Sequence, residues 1–377
     1  MLKKNLRFTT RIAMVWIAIG LSGCSSPPEG GEKPPTPPKE TAPLEVAEPT
    51  EIPPTSPIVV QVPDWIENMA RVREFVKETA GEREVQLAKP GERDWNVALL
   101  SEEAQGDGTG YPWIEEKLYL YANKVLLARA GVQAIPTTWE EVLAAVDKKG
   151  GVEGLTAFFA LPGNSPGMFH TLSILSSLCG ATSFSHPEEE SICVAVGAMG
   201  DLYRKGDYLL DHEKGLGVRE SIAELGRGRA AMALAWESDA LILNDTQTAS
   251  VASQIKSASP PSLTVHGLTE HRQPTRKWSW TINSASGEDR TVIDIANRLS
   301  EWRELDLPFG QYVASASQST DSIVMGGLFR LDPPSDHAVR ETRRILLEGF
   351  KNRQTGLEIL QGIQIRYEAI REHAEAK

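Results

Sequence analysis

Residues 118–146, LYLYANKVLLARAGVQAIPTTWEEVLAAV, constrain the fold more than any other stretch of the chain. They read as a short strand, a helix ending at Gly131, a turn carrying Pro136, and a second helix. Thr138 and Glu141 have the spacing of a capping box, in which the hydroxyl accepts from one orphan amide and the carboxylate from another. Behind that cap, Trp139, Val142, Leu143 and Val146 fall at i, i+3, i+4 and i+7 and form one apolar face. A strand feeding directly into two helices, the second amphipathic, belongs in an α/β protein.

The N-terminus reads as an address rather than as fold. Lys3, Lys4, Arg7 and Arg11 precede an apolar run from Ile12 to Leu21, which ends in Leu21-Ser22-Gly23-Cys24. The run is short for a membrane span, and small residues before a cysteine are what a lipoprotein signal peptidase requires. Cys24 is therefore expected to be the lipidated first residue of the mature chain. Acyl chains there would hold it on the outer side of a bacterial membrane. Residues 25–57 are rich in Pro, Glu, Thr and Lys and read as an extended tether. The net charge of −12 already includes the basic leader, and an acidic chain does not favour nucleic acid as a partner. Cys179 and Cys193 remain in an oxidising compartment, either bridged or as two small buried thiols.

At 377 residues the chain can hold two domains with separate cores. From residue 58 a strand (58–62), a helix (64–79) and two further strands (84–87 and 94–100) are expected. Gly106-Asp107-Gly108-Thr109-Gly110 lacks the Gly-Lys-Ser/Thr ending of a phosphate loop and reads as a turn. A buried strand over 155–160 leads through a Pro- and Gly-rich loop to a helix at 171–178. Another helix spans 193–203, and a helix–turn–strand spans 221–236. Val292, Ile295, Ala296 and Leu299 make a helical stripe. Residues 306–377 read as helical, and Leu360, Ile363, Tyr367 and Ile370 mark the last amphipathic segment.

Three of these stretches resemble bacterial extracellular solute-binding proteins, the maltose-binding-protein-like family. Tyr119, Tyr121, Asn123, Lys124, Gly131, Val132, Pro136 and Thr138-Trp139-Glu140-Glu141 match its lobe-crossing segment. Leu225, Gly228, Ala230, Ala231, Met232 and Trp236 match a helix–turn–strand that runs into a ligand-facing aromatic, with Leu234-Ala235 where the family has Gly-Pro. Trp280 with Thr281-Ile282-Asn283 matches a third motif, with Trp278 where the family has a small residue.

The resemblance implies an α/β, two-lobed, type II periplasmic-binding-protein-like fold. Only about half the usual length precedes the crossing, so the first lobe is expected to be shortened. The domains expected are a signal peptide (1–23), a tether (24–57), lobe one (58–118 and 263–305), lobe two (119–262) and C-terminal helices packing mainly on lobe two (306–377). The function implied is capture of a solute, a sugar or oligosaccharide, for the permease of an ABC importer. The protein would be a monomer, with no cofactor, metal or catalysis. The residues assigned to the ligand are Trp236, Trp280, Trp113, Tyr111, Phe169, His170, Glu237 and Trp278. Their indoles and rings would stack on sugar faces, while carboxylates such as Glu237 and Asp239 accept from hydroxyls. As bare sequence, Tyr111, Trp113 and Trp236 read equally well as core, and His170 as a packed histidine.

Two other classes compete. No His-Glu-x-x-His, phosphate-loop or dinucleotide motif marks an enzyme, although the many carboxylates leave a glycosidase pair open. A lipoprotein that keeps the fold but has a degenerate cleft, acting as a sensor or interaction module, fits the short first lobe and the altered residues before Trp236.

Overall fold

The computed structural model describes residues 56–66, 68–90, 94–101, 109–181, 190–208, 210, 215–245, 247, 249–304, 311–312 and 336–375. The leader, Cys24, the proline-rich stretch to residue 55 and Gly106-Asp107-Gly108 lie outside them. All described residues belong to one compact unit, 52–377.

The chain begins β1 (Ile58–Gln61), α1 (Met69–Ala80), β2 (Val85–Ala88) and β3 (Val97–Ser101). The expected helix starts at Met69 rather than at 64, because Asn68 accepts from the Arg71 amide at 3.1 Å and caps it there. β2 and β3 both lie parallel to β1, one on each side. Parallel neighbours ordinarily need a dozen or more residues of crossover, usually a helix. α1 makes that crossover between β1 and β2, and residues 89–96 join β2 to β3 on the other side of β1.

β4 (Thr109–Asn123) is the long strand of the molecule. Its first part pairs antiparallel with β10 (Thr275–Ile282) as far as Lys117. From Leu118 it pairs with β6 (Ala230–Trp236), and β6 lies parallel to β5 (Ala157–Ala160). β7 (Ile255–Ala258) also pairs with its second half, and β11 (Gln311–Tyr312) with its first. The order through the sheet is β2-β1-β3-β10-β4-β6-β5.

Two cores form, one on each half of β4. The first gathers Ile58, Val60, Val72, Leu99, Trp113, Ile114 and Trp280 under α1 and α7 (Arg290–Glu301). Val292, Ile295, Ala296 and Leu299 are the buried stripe of α7. The second gathers Leu118, Leu120, Ala122, Phe158, Phe159 and Trp236 with the helices of the other half. Those helices are α2 (Lys124–Arg129), α3 (Trp139–Val146), α4 (Ser165–Leu178) and α5 (Glu190–Arg204), while α6 (Val218–Gly226) packs in smaller clusters, Leu225 with Ala230 and Ala233 and Ile222 with Ala235. At the C-terminus, α8 (Asp336–Lys351) and α9 (Gly356–Glu375) add Leu346, Phe350, Ile359, Leu360 and Ile363 to this second core.

The local signals of the crossing segment form as the spacing predicts. Asn123 caps α2 by accepting from the Val125 and Leu126 amides. Gly131 takes φ +74°, a conformation open to glycine, and turns the chain away. The capping box of α3 is complete: Glu141 N–H donates to the Thr138 hydroxyl at 3.3 Å, and the Glu141 carboxylate accepts from the Thr138 amide at 3.4 Å.

Candidate functional site

The two cores meet at a single residue on one face of β4. After a bulge the strand alternates strictly, with Ile114 in the first core and Leu118 in the second. The bulge arises because Trp278 pairs with Ile114 and Ser279 with Pro112, leaving Trp113 as the extra residue. Between Ile114 and Leu118, on the same face, stands Glu116, fully buried.

Glu116 is held from three sides. Directly across the ladder, Arg276 donates from Nε to its Oε1 at 2.7 Å, and Trp278 donates from Nε1 to the same oxygen at 2.6 Å. The backbone N–H of Ser238, just past the end of β6, donates to Oε2 at 2.8 Å. Burial raises the Glu116 carboxyl above its ordinary value, against the opposing charge of Arg276 and these hydrogen bonds.

The Arg276 guanidinium lies between two indoles. Its Cζ is 4.8 Å from the centre of the Trp236 ring and 5.4 Å from that of Trp278. A cation over an indole face in a dry site contributes on the order of 2 kcal/mol. Trp65 meets Trp278 edge-on, with 5.5 Å between ring centres. On the side of the second core, Asp239 Oδ2 lies 3.8 Å from Arg276 Nη2 and 3.6 Å from His170 Nε2. That oxygen and the Trp236 Nε1–H are both buried without a hydrogen-bond partner. On the opposite face of β4, burial, then nearby Glu237, Tyr119, Glu116 and Asp239, push the Tyr121 phenol above its ordinary value.

The sequence over residues 58–288 matches the family model for bacterial extracellular solute-binding protein. This chain belongs to that family. Solved structures agree on the fold. A sugar transporter from Arthrobacter chlorophenolicus A6 with bound laminaribiose is 14% identical with a TM-score of 0.57, over 84% of this chain and 99% of that one. Maltose-bound T. maritima MalE3 is 13% identical with a TM-score of 0.56, over 83% of this chain and 100% of that one. An ABC transporter solute binding protein from Agrobacterium vitis S4 with bound D-mannitol is 13% identical with a TM-score of 0.55, over 84% and 98%. No curated protein matches the sequence at a significant level. The fold is the two-lobed, type II periplasmic-binding architecture, with β4 running past the junction of its lobes.

Within this solute-binding protein the residues assigned to a ligand from the sequence separate into groups. Trp236, Trp278, His170 and Asp239 do converge around Arg276. Trp113 and Trp280 do not. Both are fully buried in the first core, 5.4 Å apart between ring centres, and Trp113 Nε1 donates to the Trp302 carbonyl at 2.7 Å. The bulge turns Trp113 inward, so these indoles support the junction from below. Tyr111 pairs with Trp280 and packs half-buried on the first core.

Glu237 is engaged by the backbone: its Oε2 accepts from the Lys117 amide at 2.9 Å, where β4 changes partners. Phe169 and His170 lie inside α4, which starts at Ser165, rather than at the loop–helix junction expected near 171. Phe169 packs on the second core. Cys179 and Cys193 are not bridged. Cys179 is buried at the C-terminal end of α4, and burial pushes its thiol up to about 12.

Glu116, Arg276 and Ser238 were missed from the sequence. Glu116 sits in a Glu115-Glu116-Lys117 run that looks solvated, and only its place on the inward parity of β4 betrays it. Among the described residues, no group of three His, Cys, Asp or Glu side chains could hold a metal ion, and no helix is long and apolar enough to cross a membrane.

Proposed function

We propose that this protein captures a small hydroxylated solute, a sugar or polyol, at the junction of its lobes and passes it to the permease of an ABC importer. One observation carries the choice of solute. Three residues apart, the junction holds a buried donor, the Trp236 indole N–H, and a buried acceptor, Asp239 Oδ2; neither has a hydrogen-bond partner among the described residues, Oδ2 having only its longer contacts with Arg276 and His170 at 3.8 and 3.6 Å. Unmade hydrogen bonds of this kind cost about 1–3 kcal/mol each. A hydroxyl accepts from one such group and donates to the other, so a polyol supplies what the site lacks. Neighbouring Trp278 adds aromatic surface for a sugar face. Laminaribiose, maltose and D-mannitol in the solved relatives are of the same chemical class. Binding that touches both lobes would shift the protein toward a closed form. Cys24, acylated, would tether it outside the membrane.

A second reading rests on the guanidinium itself. Arg276 covers the faces of Trp236 and Trp278, and Trp236 is only 2% exposed. A junction already filled by the protein's own cation suits a lipoprotein that senses or docks rather than captures. A panel of mono- and oligosaccharides, polyols, amino acids and polyamines separates the two by melting temperature and tryptophan fluorescence. A saturable rise with one sugar or polyol class, abolished by Trp236→Ala, supports capture. A folded protein silent to the whole panel supports the filled junction.

A further inference from the structure

We propose that the open edge of the first lobe, β2, is a docking site for an extended peptide carrying acidic residues at alternate positions. Among the described residues β2 is the terminal strand of the sheet and pairs with β1 alone. Ile58 N–H donates to the Glu84 carbonyl and Val62 N–H to the Ala88 carbonyl. Parallel ladders alternate, so the backbone groups of residues 84, 86 and 88 turn toward β1. Those of Val85 and Leu87 then face outward.

Sheet edges that are not used are commonly blunted by a lysine on the strand, a proline or a bulge. Within β2 none of these occurs, while the strand is only four residues long and Lys89 and Pro90 follow it directly. Its four residues are Val-Gln-Leu-Ala, and its register against β1 is unbroken.

Beside this edge lies a concavity of about 580 Å³. It runs between β2 and α1 and is lined by Arg73, Lys77, Glu84, Val85, Gln86 and Leu87. A groove between an edge strand and a helix is the geometry in which peptides add as a further strand. The helix wall sets the charge of the partner. Arg73 and Lys77 are exposed, and neither forms an ion pair among the described residues. Glu84, whose Oε1 accepts from Gln86 Nε2 at 2.9 Å, is the one carboxylate among these six lining residues, so the two cations outnumber it.

The spacing is specific. Residues four apart on a helix are separated by about 6 Å along its axis. Residues two apart on a strand are separated by roughly 6.7 Å. A peptide lying along β2 therefore meets Arg73 and Lys77 with side chains at i and i+2, which share one face. Glutamate at those positions lays its stem along Val85 and Leu87 and brings its carboxylate to the cations.

The test uses the full-length protein and a fluorescein-labelled peptide, acetyl-Thr-Val-Glu-Val-Glu-Val-Thr-amide, followed by anisotropy. Saturable binding is expected, weakened at least tenfold when both glutamates are lysine. The paired variant Arg73→Glu/Lys77→Glu should lose at least tenfold for the acidic peptide and gain for the lysine one. Methylating the peptide amides that face β2 should abolish binding, while methylating the alternate amides should leave it within about twofold. That comparison does not depend on any protein variant folding. No saturation at millimolar peptide overturns the proposal, as does binding indifferent to both charge reversal and amide methylation. A protein dimer through this edge that the peptide fails to dissociate also overturns it. A solute at the lobe junction does not touch β2, so neither outcome bears on solute capture.

Discussion

Glu116 and Arg276 face each other across the β4–β10 ladder, Oε1 to Nε 2.7 Å apart, at the point where β4 leaves one core and enters the other. Their side chains are 0% and 8% exposed. β10 begins one residue before Arg276, and β4 exchanges β10 for β6 just beyond Glu116, so the pair sits where the two cores meet.

Removing one member of a buried, hydrogen-bonded pair strands the other. Arg276→Met is expected to cost about 3–5 kcal/mol, since Glu116 keeps its burial and loses its cation. The double variant Glu116→Gln/Arg276→Met should cost clearly less than the sum of the two single changes. Urea denaturation of the four proteins gives the coupling directly. Additive losses would mean that the pair does not act as a unit.

The same carboxyl should leave a signature in pH dependence. Its folded pKa is raised, chiefly by burial. Below the ordinary carboxylate value both folded and unfolded forms hold the proton, and the full contribution to stability is present. As pH climbs, the unfolded chain releases the proton first, so this contribution is lost up to the raised folded value. Asp207, also raised by burial, acts in the same direction. Wild type measured against Glu116→Gln should therefore lose relative stability as pH rises through that window. A difference in melting temperature that stays constant with pH would contradict the assignment.

Close approach fixes α9 on the second lobe. A Cβ on Gly356 would overlap the Cys193 carbonyl, whereas one on Gly197 meets open space. Gly356→Ala should destabilise by about 1–3 kcal/mol. Gly197→Ala, inside α5, should stabilise by about 0.5–1 kcal/mol through helix propensity. Thermal unfolding of both variants checks the contrast.

Cys179 should resist modification. Its thiol is buried and pushed up to about 12, so almost no thiolate exists at neutral pH. Iodoacetamide on the native protein should leave it unlabelled, and the same reagent in denaturant should label it, as peptide mass spectrometry would show. Rapid native labelling would place the end of α4 in solvent.

The sequence by itself determined the parts whose causes are local. The capping box at Thr138 and Glu141, the buried stripe of α7 and the turn at Gly131 follow from spacing within one helix or turn. The family was legible too, because its motifs keep their order along the chain. Only the tertiary structure decided the junction. Arg276 and Glu116 are 160 residues apart, and they meet through strand register. Trp113 turns into the core because of a bulge set by its partner strand, and Trp236 lies under a guanidinium supplied by another element. Periodicity says which residues share a face. Which neighbour covers that face is settled by pairing between distant segments, and no local pattern records it.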